Sequence, residues 1–229
     1  MRALRPEIVR QEEAHTRRRY PIRISTPAGE ARFWRSRFYH EHYSDEPDAP
    51  KIKHRSSVGW LHAGGERVAL MTLEEYDLDP GLYWEDFWLE ADGLAVQNGN
   101  AVEAMRAYWG GSFVTPADYG PIVLCTGAWI APHYRTRLDY RGAFDAILPS
   151  IAPNHGIAVL IAYPVDDRDE DAHPLGTWER RQRALMRFYE RELGFIPMPT
   201  SEAQFGFMWR GRTEAIAGAL VAMAGEHAD

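Results

Sequence analysis

The chain has 229 residues, of which 45% are hydrophobic, 12% aromatic and 26% charged, with a net charge of −7. That apolar content is enough to bury a core, so a chain disordered throughout is excluded, and the length suits one large domain. A single cysteine excludes an intramolecular disulfide framework, no apolar run reaches the ~20 residues that span a bilayer, and the first 25 residues lack an apolar signal core, so a cytoplasmic protein away from membranes is expected.

The charge is unevenly spread. Residues 1–55 carry 13 Lys/Arg against 8 Asp/Glu, whereas residues 56–229 carry 13 against 25. The acidic bulk argues against nucleic acid as a partner over most of the chain. Residues 1–55 read as a basic segment flanking the core, and 56–229 as one domain with an acidic, aromatic insertion at about 78–118. The run Arg17-Arg18-Arg19 reads as a solvated helix end.

In chain order, PIRIS (21–25) alternates as a short strand does. SDEPDAP (44–50) is a loop. In VGWLHAGGERVALMTLEEY (58–76), two β-type runs flank Gly64-Gly65, which predicts a hairpin with strands at about 57–62 and 67–74. Residues 80–110 hold helical material, notably Ala101–Trp109, and an aromatic cluster of Tyr83, Trp84, Phe87 and Trp88. IVLCTGAWIA (122–131) predicts a buried strand, and Gly127 within it marks a candidate bulge. DYRGAFDAIL (139–148) predicts a helix stopping at Pro149. IAVLIAY (157–163) is continuously apolar, as expected of a strand buried on both faces. A helix follows from about Thr177 to Leu193, with Gly194 as its stop. A last strand is expected at 205–209 and an apolar helix at 215–224, the latter a reason to expect a homodimer. The fold class is therefore α/β of the α+β kind: a mixed sheet in which an antiparallel hairpin feeds a β-α-β-α-β unit, with ligands near the C-terminal ends of the parallel strands.

Two stretches carry a resemblance. WIAPHYRTRLDYRGAFDAI (129–147) is similar to the strand-to-helix core of the GNAT-type N-acetyltransferase superfamily, which typically reads V-x-P-x-Y-R-G-x-G-x-G-x-x-L-L-x-A-I. ALMRFYERELGF (184–195) resembles the family's A-x-x-x-Y-x-x-x-G-F element. The resemblance covers roughly 120–209 and, more loosely, 57–76. It implies an acyltransferase that moves an acetyl or other acyl group from acyl-CoA to a small-molecule or protein amine. In such a protein Trp129 and Ile130 align the donor, while Arg135, Arg137, Leu138, Asp139, Tyr140 and Arg141 surround its pyrophosphate at a helix N-terminus. The bulge at Gly127 would admit the pantetheine arm, and Tyr189 would be the acid for the departing thiolate.

The sequence departs from the family at the phosphate loop. Aligned from Pro132, the two usual glycines fall on Leu138 and Tyr140, and Gly142 comes two residues late. Arg135, Arg137 and Arg141 remain as phosphate-binding groups. The spacing from Tyr189 to Gly194-Phe195 is one residue longer than usual, a rotation of about 100° on a regular helix. The departures support an alternative, a GNAT-like binding or regulatory protein that does not use acyl-CoA. RNA as acceptor, through the basic first third, is a third reading.

For a general base the candidates are Glu74 and Glu75 at the end of the hairpin, with Asp118 behind them. Ten acids between residues 66 and 103 interleave with aromatics, a composition that suits a cationic acceptor. His40-Glu41-His42 could place two imidazoles on one strand face, but no third ligand is evident and no metal is expected. Cys125, mid-strand, reads as a buried structural thiol.

Overall fold

The computed structural model describes residues 21–41, 52–110, 114–135, 137–163, 175–198 and 206–226. The Arg17–Arg19 run, the loop 44–50 and His42 lie outside them. The strands are β1 (Ile22–Thr26), β2 (Gly29–Arg35), β3 (Tyr39–Glu41), β4 (Ile52–Ala63), β5 (Glu66–Leu78), β6 (Ile122–Ile130), β7 (Ile157–Ile161), β8 (Ile196–Pro197) and β9 (Phe207–Gly211). The longer helices are α1 (Trp84–Leu94), α2 (Val96–Trp109), α3 (Tyr140–Ile151), α4 (Leu175–Phe188) and α5 (Glu214–Glu226).

The strands form one sheet in the order β1-β2-β4-β5-β6-β7-β9-β8, with β3 beside β4. Only β6 and β7 pair in parallel; the other pairs are antiparallel. The parallel pair is the one joined by a helical crossover, α3, because parallel neighbours cannot be connected by a tight turn. The expected hairpin is present as β4 and β5, but its strands run several residues beyond 57–62 and 67–74. Its turn is Gly64-Gly65 with φ of +58° and +85°, the left-handed geometry that matches the twist of the flanking strands.

Alternation splits the apolar residues between the two faces of the sheet. On one face Ile52, Tyr76, Ile122, Leu124, Ile157, Val159 and Trp209 pack with Trp84 and Phe87 of α1, Val102, Met105 and Trp109 of α2, and Leu220 of α5. Trp109 meets Trp209 edge-on at 5.2 Å, and its Nε1 donates to the Leu220 carbonyl at 3.2 Å, which ties α2 to α5. On the other face Phe33, Leu61, Leu73, Val123, Ala158, Leu160 and Met208 pack with Phe144, Ile147, Leu148 and Ile151 of α3 and with Leu193. Two buried layers account for the continuous apolar run at 157–163: a central strand has no solvent face. The strand itself ends at Ile161.

The acidic, aromatic stretch after the hairpin is the helix pair α1–α2. Its Trp84 and Phe87 are core residues, whereas Tyr83 is 72% exposed. Helix α3 does not stop at Pro149 but continues to Ile151. Pro149 forgoes the bond to the Asp145 carbonyl, and the helix end beyond it is held instead by the Ile151 carbonyl, which accepts from Arg35 Nη1 at 2.7 Å and from Arg55 Nη2 at 3.4 Å. The final strand and helix lie at 207–211 and 214–226 rather than 205–209 and 215–224. Among the described residues no helix is long and apolar enough to cross a membrane.

Candidate functional site

The two parallel strands separate partway along. β6 and β7 pair from Ile122↔Ile157 to Cys125↔Leu160 and no further. β6 nevertheless continues to Ile130 against β5, and β7 continues to Ile161 against β9. The cause is a bulge. Leu73 pairs with Cys125 and Thr72 with Gly127, so Thr126 is an extra residue in β6. A bulged strand bends and twists away from its neighbour. Gly127 permits it, since a Cβ there would stand 2.7 Å from Thr72 Oγ1. Thr126 Oγ1 donates to Thr72 Oγ1 at 3.0 Å, which pins the bulge to β5. Past this point Ala128–Ile130 on one side, and Ala162 and Tyr163 on the other, belong to diverging chains. Trp129 meets Trp60 edge-on at 6.3 Å, and Tyr163 meets Trp178 of α4 at 4.6 Å.

Where the strands part, Cys125 and Tyr189 lie on the α3 face. Burial pushes the Cys125 thiol up to about 12. Burial, with Cys125 beside it, pushes the Tyr189 phenol up to about 12 as well. Both are therefore neutral at physiological pH, and Tyr189 is a hydrogen-bond donor. Residues Tyr189–Leu193 form a π turn continuing α4, and Gly194 ends it in a left-handed conformation with φ of +70°. The five residues from Tyr189 to Leu193 thus make a wider turn than a regular α-helix would.

The loop after β6 begins with a 3₁₀ turn at Pro132–Tyr134 and reaches α3 at Tyr140. Arg135, Arg137 and Arg141 are all exposed around it. Arg135 Nε donates to the Ile130 carbonyl at 3.4 Å. Arg141 Nε lies 3.9 Å from Asp145. Asp139 is the N-cap of α3 and accepts from the Gly142 amide at 2.8 Å. Gly142 serves this contact: a Cβ there would collide with the Asp139 carboxylate and crowd Pro27. Tyr140 turns inward, its phenol donating to the Tyr134 carbonyl at 2.5 Å and its ring meeting Phe188 edge-on at 5.6 Å. Leu138 packs beside it at the margin of the same core. The positive end of the α3 dipole is therefore already served by a carboxylate of the chain itself.

Glu74 and Glu75 are neighbours in sequence and fall on opposite faces of β5. Glu75 lies on the α3 face and accepts from Arg55 Nε at 2.6 Å and Nη2 at 2.7 Å. This fork pair is buried, the side chains being 11% and 8% exposed. Burial raises the Glu75 carboxyl above its ordinary range, against the pull of Arg55 and Arg35. Its role in the structure is to hold Arg55 at the end of α3. Glu74 lies on the α1–α2 face and is bonded at 2.7 Å to His54 Nε2, with side chains 14% and 5% exposed. The His54 ring leans on Tyr76 at 5.0 Å. Glu74 is one step along the same face from Thr72, and so from the bulge.

The remaining acids of 66–103 are dispersed. Lys53 Nζ lies 3.4 Å from Asp77 and 3.7 Å from Asp79, and Arg106 lies 3.4 Å from Glu85. Among the described residues no three His, Cys, Asp or Glu gather as metal ligands. No sequence motif marks His54, Thr72, Thr126 or the Arg55–Glu75 pair. The alternating IKHRSSVGW (52–60) is the signal that β4 begins five residues earlier than 57 and places His54 opposite Tyr76 in register. No protein-family model, curated protein or solved structure matches the chain.

Proposed function

We propose that the protein is a GNAT-like N-acyltransferase that takes its acyl group from acetyl-CoA or another acyl-CoA. The observation that carries this reading is the parting of β6 from β7 at the Thr126 bulge. Beyond it the facing edges of β6 and β7 no longer pair with each other, and an extended amide chain such as pantetheine can lie along such an edge as an added strand. The antiparallel insertion of β9 between β7 and β8, the placement of Tyr189 beside Cys125 and the three arginines of the 135–141 loop agree with the same reading.

In this scheme the thioester lies in the gap alongside Trp129 and Ile130, with its sulfur near Tyr189. The acceptor approaches from the α1–α2 face. Glu74, held by His54, takes a proton from the ammonium directly or through water. The amine nitrogen then forms a bond to the carbonyl carbon and loses its second proton to water, the C–S bond breaks, and the thiolate leaves while accepting a hydrogen bond from Tyr189. Rate enhancement comes chiefly from holding donor and acceptor in register. The test is direct: purified protein, acetyl-CoA and a panel of basic and neutral amines, with free thiol measured. Thiol release that needs an amine and is abolished by Glu74→Gln supports the reading; acetyl-CoA binding without any amine-dependent release refutes it.

One observation favours the second reading, a GNAT-like binding protein that does not use acyl-CoA. The Asp139 carboxylate caps α3 where a pyrophosphate would sit, and like charges there repel. On that reading neither acetyl-CoA nor CoA alters the melting temperature at millimolar concentration.

A further inference from the structure

A cavity of about 180 Å³ lies on the α3 face, beneath the second half of that helix. It is separate from the β6–β7 gap. The register pairs Arg210 with Ala158 and Gly211 with Ile157, which places the cavity toward the starting end of β7, whereas the gap opens beyond its middle. One wall is apolar, made by Phe144, Leu148 and Pro149. The other carries Arg210 of β9, Arg212 just after it, and His155 just before β7.

The charges on this wall do not balance. Asp145 also lines the cavity, but its carboxylate is already bonded to Arg210 Nη2 at 2.6 Å and approached by Arg141 at 3.9 Å. Two guanidinium groups, Arg210 and Arg212, thus line the cavity with one carboxylate. Arg210 is held in place by that bond and by the Phe144 ring, 5.7 Å from its guanidinium carbon. Its Nη1 is buried and has no hydrogen-bond partner among the described residues. A buried guanidinium N–H without an acceptor is costly, and groups of this kind are normally answered by an anion or water. Arg212 is anchored by one arm to the Pro153 carbonyl at 3.3 Å and is otherwise exposed. His155 donates through Nδ1 to the Ala152 carbonyl at 2.7 Å. The remaining nitrogen, Nε2, is left for a second contact.

We infer that this cavity binds a small oxyanion, a carboxylate or a phosphate, with one oxygen on Arg210 and another on Arg212. The guanidinium fork suits either class, since both present paired oxygens. The apolar wall would take the short tail of a carboxylate. Neither the 135–141 loop nor the β6–β7 gap takes part, so the site does not depend on acyl-CoA use.

The test is a titration of the full chain with sodium butyrate and, separately, with sodium phosphate. Ionic strength is matched with sodium chloride, and melting temperature and the His155 ring C–H resonance are followed together. A saturable change in both readouts with either anion supports the site, and the anion that acts identifies the class. The apparent Kd is expected to weaken at least tenfold in Arg210→Lys, which keeps the charge on a group without the fork, and in Arg212→Gln, whose side chain is exposed. No saturable response to either anion overturns the inference. So does a response that both variants leave unchanged, or one that never reaches the His155 resonance.

Discussion

Replacing Glu75 by Gln removes one charge from a pair that the fold has taken out of water. Arg55 would be left 11% exposed, with a neutral amide where it now has a two-point carboxylate. Breaking a buried pair from one side costs about 3–5 kcal/mol. For a chain of this length each kcal/mol is worth about 2–4 °C, so a fall of roughly 6–20 °C in Tm is expected. The end of α3 should loosen too, because Arg55 and Arg35 both donate to Ile151. Glu74→Gln should behave quite differently. It keeps a hydrogen bond to His54 and loses only a partial charge interaction, a cost of about 1 kcal/mol. In the proposed reaction it nonetheless removes the base, and thiol release should fall by about 10²–10⁴-fold. Thermal unfolding by circular dichroism, with a double-mutant cycle on Arg55→Met and Glu75→Leu, measures the first effect, and the double variant should recover most of the loss. Equal destabilisation by Glu74→Gln and Glu75→Gln, or a cost below about 1 kcal/mol for Glu75→Gln, would refute the assignment of the two carboxylates to different jobs.

Three further outcomes follow from the geometry. Tyr189, pushed up to about 12, would give a full proton to a thiolate of ordinary pKa near 8.5 only at an uphill cost of about 5 kcal/mol. It should act as a hydrogen-bond donor worth about 1.5–3 kcal/mol, so Tyr189→Phe lowers kcat about ten- to hundredfold and leaves the pH profile of kcat unchanged. Asp139→Ala removes the cap of α3 at a cost of about 1 kcal/mol; by uncovering the helix N-terminus it should tighten CoA binding, which calorimetry on the variant reads out. Burial, with Arg212 and Arg210 nearby, holds His155 below its usual value despite the Ala152 carbonyl. The unfolded chain therefore takes up that proton first as pH falls below about 6.5, and stability drops by up to about 1.36 kcal/mol per pH unit until the folded value is passed. Tm followed from pH 7.5 to 5 should show this loss, reduced in His155→Gln.

What the sequence disclosed was local. The Gly64-Gly65 turn, the apolar runs at 122–131 and 157–163, and the Tyr-to-Gly spacing in 189–194 each report a short stretch of backbone, and each has its counterpart in the fold. Long-range pairing was less visible. The strand at 29–35 is not evident because GEARFWR alternates only weakly, although it pairs with the adjacent β1 as well as with β4, which begins more than twenty residues later. Helical material at 80–110 is legible and is present as α1 and α2, but the acids and aromatics there look like a surface, although Trp84, Phe87 and Trp109 are buried. The candidate site divides in the same way. Gly127 could be read as a bulge from sequence, but only the register shows that Thr126 is the extra residue. The sequence places Asp139 in an anion loop, whereas its own carboxylate occupies the helix end. That Glu74 and Glu75 point to opposite faces is dictated by alternation, yet which face meets His54 and which meets Arg55 depends on the register of β4.

The central claim is that the gap between β6 and β7 receives acyl-CoA. Calorimetric titration of the full chain with acetyl-CoA, repeated on Gly127→Val, tests it most directly. The account predicts one-to-one binding in the wild type, and at least tenfold weaker binding in the variant, whose branched side chain would crowd Thr72 at the bulge. An absence of heat in the wild type at millimolar acetyl-CoA, or equal affinity in the two proteins, would contradict it.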